Sequence, residues 1–332
     1  MTSSVASTSI AVASVSIDVN DVVEAAQRLG TDVHHTPLLS SATLTARVGA
    51  RELRVKGEHL QRSGSFKIRG ALNAIRRLGP AERAAGVVAF SSGNHAQGVA
   101  LAARIEGLRA TIVMPSDAPK VKIEATRGYG ASIVLYDRTT EDREMVAAQI
   151  VGQHGATLIP PFDHRDVIAG QGTVGLEAVG DWPDIDVAVV PVGGGGLGAG
   201  MALALHDARP QMAIWGVEPE AADDGRRSLA AGEIVRIAQP STIADGVATT
   251  ALGHLTFPVL QKHLSGIVTV TEAEILYALG FILTRMKQVV EPTGALTTAA
   301  LLAGKIDVGG QHVLTVFCGG NLDLDVLMKV TR

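Results

Sequence analysis

Val187-Ala188-Val189-Val190-Pro191-Val192-Gly193-Gly194-Gly195-Gly196-Leu197-Gly198 is the stretch from which the fold can be read. Val187 to Val192 is apolar without alternation, as in a strand buried on both faces of a sheet. Ala199 to His206 then reads as a helix. The N–H groups of Gly193 to Gly196 can converge on an anion at the start of that helix, where the helix dipole adds to the attraction, and phosphate is the natural guest. Gly193, Gly195 and Gly198 also satisfy G-x-G-x-x-G, with Glu218 ending the next strand, as in a dinucleotide fingerprint. A merely tight turn is a third reading, against which four consecutive glycines cost backbone entropy.

Outward from this stretch, strand-like and helix-like segments alternate. Toward the N-terminus, helices are expected over 21–29, with Asp21 as cap and Gly30 as stop, and over 99–104, 120–127, 140–151 and 166–179. Strands are expected over 52–56, 86–90, 110–114, 132–136 and 157–160, and beyond the glycines over 213–217. Such alternation predicts parallel-rich, doubly wound α/β sheets, and 332 residues allow about two domains. Aromatics at 3 % leave a core of small aliphatic side chains. A net charge of −4 without a block of one sign argues against a nucleic-acid partner. The single cysteine excludes an internal disulfide framework and fits a reducing compartment. Met1 to Ile17 lacks a basic start and a long apolar run, so a loose tail is expected rather than a signal peptide. No segment approaches a membrane span, so a soluble, cytoplasmic protein is expected.

Two further stretches carry chemistry. In Ser63-Gly64-Ser65-Phe66-Lys67-Ile68-Arg69-Gly70, a lysine sits between small turn residues and a helix beginning near Ile68. Desolvation beside Phe66 and Ile68 favours its neutral, nucleophilic form; the plain alternative is a solvated lysine. In Ser91-Ser92-Gly93-Asn94-His95-Ala96-Gln97-Gly98, hydroxyls, an amide and free N–H groups at a helix start suit a carboxylate, and Asn94 can hold a phenolic oxygen. Simple N-capping would use Ser91 or Ser92 and leave Asn94 and His95 without a task. The dinucleotide reading of the glycine loop gives neither stretch a use.

A lysine, a phosphate cup and a carboxylate nest match the needs of pyridoxal phosphate bound to an amino acid. Here the sequence resembles the fold-type II pyridoxal-phosphate enzymes (tryptophan synthase β-like), specifically the threonine dehydratase and serine racemase family. The matching runs are Ser63–Ala71, Ser91–Gly98, Ile168–Thr173, Gly193–Leu197, Thr242–Gly246, Glu291–Gly294 and Cys318–Asn321, in the family's order. The resemblance implies that Lys67 is the Schiff-base lysine and the base at Cα, that Phe66 packs on the cofactor ring, and that Asn94 bonds the ring hydroxyl. Gly193, Gly194, Gly195, Gly196 and Leu197 would hold the phosphate, and Ser91, Ser92, Gly93, Asn94 and His95 the substrate. Cys318 would face the pyridine nitrogen, where a thiol, a weak donor, does not hold a protonated pyridinium. Its plain reading is a small buried hydrophobe at a strand end.

The implied reaction is elimination from a β-hydroxy amino acid such as threonine or serine, giving a 2-oxo acid and ammonia. Ser92 stands where racemases of the family place a serine as acid/base, which leaves serine racemase as an alternative, while Pro160-Pro161-Phe162-Asp163-His164 looks more like the dehydratases. A specialised substrate, such as 3-hydroxyaspartate, a phenylserine or a hydroxyectoine breakdown product, is a third option, with Arg143, Phe162 and Thr249 as candidates for reading its side chain. Glu218, the Ala222 carbonyl and Asp224 resemble the family's divalent-cation loop, suited to Mg²⁺, Ca²⁺ or Mn²⁺; an acidic solvated loop is the plain reading. The histidines show no metal-ligand spacing. The resemblance further implies a large cofactor-binding domain of residues 1–76 and 163–332, a small domain of 77–162, a homodimer, and no C-terminal regulatory domain after Asn321.

Overall fold

The computed structural model describes residues 16–118 and 120–330, so the tail expected over Met1 to Ile17 lies outside the described residues except at its end. That end is not loose, for Ile17 packs into a core cluster with Val22 and Ala25.

Among the described residues, ten strands form two sheets. They are β1 (Leu38–Ser40), β2 (Glu52–Lys56), β3 (Val87–Phe90), β4 (Ala110–Pro115), β5 (Ser132–Tyr136), β6 (Thr157–Leu158), β7 (Val187–Pro191), β8 (Ala213–Pro219), β9 (Gly266–Val270) and β10 (His312–Val316). The larger sheet has the order β1-β2-β10-β7-β8-β9 and the smaller β5-β4-β3-β6. Every pairing is parallel except β1 with β2. Central β7 is buried at all five positions, which is why its sequence shows no alternation. The expected parallel-rich α/β architecture is present.

Several helix starts differ from expectation because capping decides them. The first helix runs Val19–Leu29, with Asp18 as N-cap and Asp21 closing a capping box, so Asp21 is the third helical residue rather than the cap; Gly30 ends the helix as expected. Asp142 caps Arg143–His154, moving that start beyond Thr140. The helix expected from Val99 begins at Asn94, and the one expected from Ala199 begins at Gly196. These two shifts matter, because they put the last residues of each turn into the first turn of a helix, where N–H groups have no intrahelical acceptor. No described helix is long and apolar enough to cross a membrane.

Parallel strands deliver their C-terminal ends to one side of a sheet, where ligands of open α/β sheets bind. The residues following β3 (Ser91), β7 (Gly193) and β10 (Cys318) all line one cavity. The helix Lys67–Arg76 spans the two sheets' territories: Ile68, Ala71, Leu72 and Ile75 pack in one cluster with Val87, Ala89 and Ile112 of the small sheet, while the preceding Phe66 packs with Val190 and Val316 of the large one.

Candidate active site

Lys67 opens its helix, and the turn before it is tied to the end of β10: Phe66 N donates to the Cys318 carbonyl at 3.2 Å, and Ser65 bridges Gly319. Arg69 fixes the same helix from below. Its fully buried guanidinium meets Glu58 at 2.8 Å and Glu177 at 2.6 Å, and the buried Lys56 joins Glu177 at 2.7 Å. Two cations and two anions leave this cluster with no net charge to desolvate, and breaking one partner would leave a buried charge exposed to none. Lys67 Nζ donates to the Pro161 carbonyl at 3.0 Å. Burial pushes its pKa down to about 8, although Cys318 and Glu291 nearby oppose the shift. The desolvation expected around this lysine from the sequence is present.

The glycine cup is built from backbone. Gly195 lies at φ +94°, a conformation that favours glycine, and the helix starts one residue later. Among the described residues, the N–H groups of Gly194, Gly195, Gly196 and Leu197 have no protein acceptor. Packing seals the loop from behind. A Cβ on Gly194 would overlap the Phe162 ring, and one on Gly195 would come within 2.7 Å of Thr256 Oγ1. Thr256 in turn donates to the Gly194 carbonyl at 2.7 Å. Four unpartnered amides at a helix start fit a phosphate.

The nest is looser. Ser91 to Asn94 are each partly exposed and line the cavity. Gly93 N donates to Ser91 Oγ at 3.1 Å, while among the described residues the Ser92 hydroxyl has no partner. His95 lines the cavity but is tied away through Nε2 to the Ile159 carbonyl at 2.8 Å. Burial, with Lys67 beside it, holds its pKa down to about 3, which keeps the ring neutral. Cys318 is 2 % exposed, and burial pushes its thiol well above the ordinary range, so it stays protonated.

The structure brings Phe66, Lys67, Ser91 to His95, Gly193 to Leu197, Cys318, Arg143, Phe162 and Thr249 around the one cavity. It does not bring Glu218, Ala222 and Asp224 there; they lie at the end of β8 and in the turn that follows. Glu218 and Asp224 are both inaccessible, while Glu220 and Ala221 of the same loop are exposed. Glu218 accepts from Gly225 N and Arg226 N, each at 2.9 Å, while neither carboxylate oxygen of Asp224 has a partner. Burial raises both carboxyl pKa values, that of Asp224 to about 7. Among the described residues no three His, Cys, Asp or Glu side chains form a metal-binding group.

Sequence reasoning gave no role to Glu291, Asp245 and Lys122, which also line the cavity. Glu291 accepts from Asn94 Nδ2 at 2.6 Å, and burial with Asp245 pushes its pKa up to about 8. Lys122 meets Asp245 at 2.7 Å. Glu291 and Asp245 sit within runs that carry the resemblance, which was the available signal; Lys122 reads as any polar position on a helix.

An anion cup and a nucleophilic lysine on one cavity are what an enzyme holding a phosphorylated aldehyde cofactor requires, with the nest beside them for an amino acid's carboxylate. Comparison with known proteins agrees. The family described as "Pyridoxal-phosphate dependent enzyme" matches residues 29–319. The chain belongs to that family. It is 51 % identical over 306 residues to the L-threo-3-hydroxyaspartate ammonia-lyase of Pseudomonas sp, covering 92 % of this chain and 96 % of the relative. It is 45 % identical to the serine racemase of Schizosaccharomyces pombe over 92 % of this chain and 94 % of that one. The solved structure of maize serine racemase superposes with a TM-score of 0.90 at 39 % identity, covering 95 % and 97 % of the two chains.

Proposed function

We propose that this enzyme is an ammonia-lyase acting on a 3-hydroxy amino acid whose side chain ends in a second carboxylate, of the 3-hydroxyaspartate kind. Arg143 carries the reading. Its guanidinium lies 5.2 Å over the Phe90 ring, beside Ser91, lines the cavity, and has no carboxylate partner among the described residues. An unpaired arginine next to a carboxylate nest supports a substrate with two carboxylates, since arginine binds such groups through paired N–H bonds. The relatives named for L-threo-3-hydroxyaspartate point the same way.

Pyridoxal phosphate, when bound, supplies an electron-withdrawing system that acidifies the substrate's Cα–H. The free amides of Gly194 to Leu197 would hold its phosphate, Phe66 would pack on the ring and Cys318 would face the ring nitrogen. The nest residues Ser91 to Asn94 take the substrate's α-carboxylate at the helix start, and Arg143 takes the distal one. Lys67, as an amine with a pKa near 8, removes the Cα proton at Nζ; the β-hydroxyl departs with a proton as water, and one water is taken up again when the released enamine hydrolyses. The final products are a 2-oxo acid and ammonia.

The test is a substrate panel read as ammonia release. L-threo-3-hydroxyaspartate should give a higher kcat/KM than L-serine or L-threonine, and Arg143→Leu should lower it about 10- to 100-fold while changing serine turnover little. Faster turnover of threonine, or an equal loss on all substrates in the variant, would overturn the assignment. A second reading, amino-acid racemase, is favoured by Ser92, which lines the cavity and whose hydroxyl has no hydrogen-bond partner among the described residues. Its mark would be D-serine forming from L-serine faster than pyruvate.

The two sheets support a division into residues 1–76 with 163–332 and residues 77–162, the helix Lys67–Arg76 lying between them. The unpartnered oxygens of Asp224 support a Mg²⁺, Ca²⁺ or Mn²⁺ site there with the Ala222 carbonyl and Glu218, and a chelator should then lower the melting temperature; no shift would remove the site. A cytoplasmic homodimer completes the reading. The exposed Leu60 and Val289, on neighbouring segments joined by the His59–Gln288 bond, give a second copy an apolar surface, and a monomer in sedimentation would exclude it.

A further inference from the structure

We propose that Glu291 and Asn321 are positioning residues that lock the side-chain amide of Asn94, turning its carbonyl away from the cavity and leaving one N–H for the ring-hydroxyl oxygen of the cofactor. The polarity of this chain is forced from one end. The Ser63 carbonyl can only accept, and Asn321 Nδ2 lies 2.8 Å from it. Asn321 therefore points its amino group that way, and the same group donates to Asn94 Oδ1 at 2.7 Å. With its oxygen so engaged, Asn94 directs Nδ2 to Glu291 Oε1 at 2.6 Å. Glu291 lines the cavity and Asn321 does not, so the donor end of the Asn94 amide faces inward. One of its two N–H groups is used by Glu291; the other remains.

The surrounding glycines are shaped for this clamp. A Cβ on Gly319 would overlap the Glu291 carboxyl and come within 3.0 Å of Asn94 Nδ2, and one on Gly64 would overlap the Asn321 amide. At neutral pH Glu291 holds a proton, with its pKa near 8, and its carbonyl oxygen still accepts. A donor aimed at the ring oxygen favours the ionised phenol, whereas a flipped amide would present an oxygen and favour the protonated one. The clamp thereby sets the ionisation state of the bound cofactor.

The inference rests on the ring hydroxyl lying at Asn94, and one set of titrations separates the two. Cofactor dissociation constants and visible spectra are measured for Asn94→Ala, Asn321→Ala, the double variant, Glu291→Ala and Glu291→Gln, each first shown to melt cooperatively. Asn321→Ala should weaken cofactor binding about tenfold and shift the visible absorbance, yet add less than about twofold in the Asn94→Ala background. Glu291→Gln, which keeps an acceptor for Nδ2, should recover most of what Glu291→Ala loses. Equal losses from Asn321→Ala in both backgrounds, or an unchanged spectrum, would overturn the clamp. If Asn94→Ala itself leaves binding and spectrum unchanged, the ring lies elsewhere and the clamp falls with that placement.

Discussion

The glycine cup after β7 and the nest after β3 occupy equivalent places, each a turn from a parallel strand into a helix, yet they are built in opposite ways. The cup presents backbone amides and is sealed behind, as shown by Gly194 against Phe162 and Gly195 against Thr256. The nest adds side chains, its four residues Ser91 to Asn94 are partly exposed, and a Cβ on Gly93 would meet nothing within 4 Å. A rigid, enclosed anion site suits a resident group that stays through turnover. An open one with movable hydroxyls suits a guest that must enter and leave. Lys67 joins them, held by Pro161 on one side and by the end of β10 on the other.

This contrast can be broken by adding one methyl group to each turn. Gly194→Ala should raise the cofactor dissociation constant about 10- to 100-fold, because the Phe162 ring must be displaced. Gly93→Ala should leave cofactor binding within about threefold of the parent and act on substrate KM instead. Equal effects on cofactor would mean that the two turns do not divide the work. A smaller effect concerns the lysine between them. Only its unprotonated amine captures the cofactor, so the loading rate of cofactor-free protein should rise about tenfold per pH unit and level off above its pKa. That levelling is expected near pH 8; a rate still climbing toward pH 10 would mean an ordinary, solvated lysine.

The parts legible in the sequence were those with a local signature. Unbroken apolarity marked β7, four glycines marked the cup, and small residues around Lys67 marked its turn. Helix starts were missed where a cap outside the periodic run decided them, as with Asp18 and Asp142. The clamp on Asn94 was not legible, because it joins residues 63, 94, 291 and 321, and only folding makes them neighbours. The charge cluster under Lys67 was hidden for the same reason: Lys56, Glu58, Arg69 and Glu177 each look like a surface residue until four elements bring them together. For Glu218 and Asp224 the plain alternative of a solvated acidic loop does not hold, since both carboxylates are enclosed, and their depth could not be read from an acidic run.

The most direct measurement is borohydride reduction of the enzyme loaded with pyridoxal phosphate, followed by peptide mapping in a mass spectrometer. The cofactor label should appear on the peptide carrying Lys67 and on no other, and Lys67→Ala should take up none. A label on Lys122, the other lysine of the cavity, or undiminished labelling of Lys67→Ala, would contradict the account.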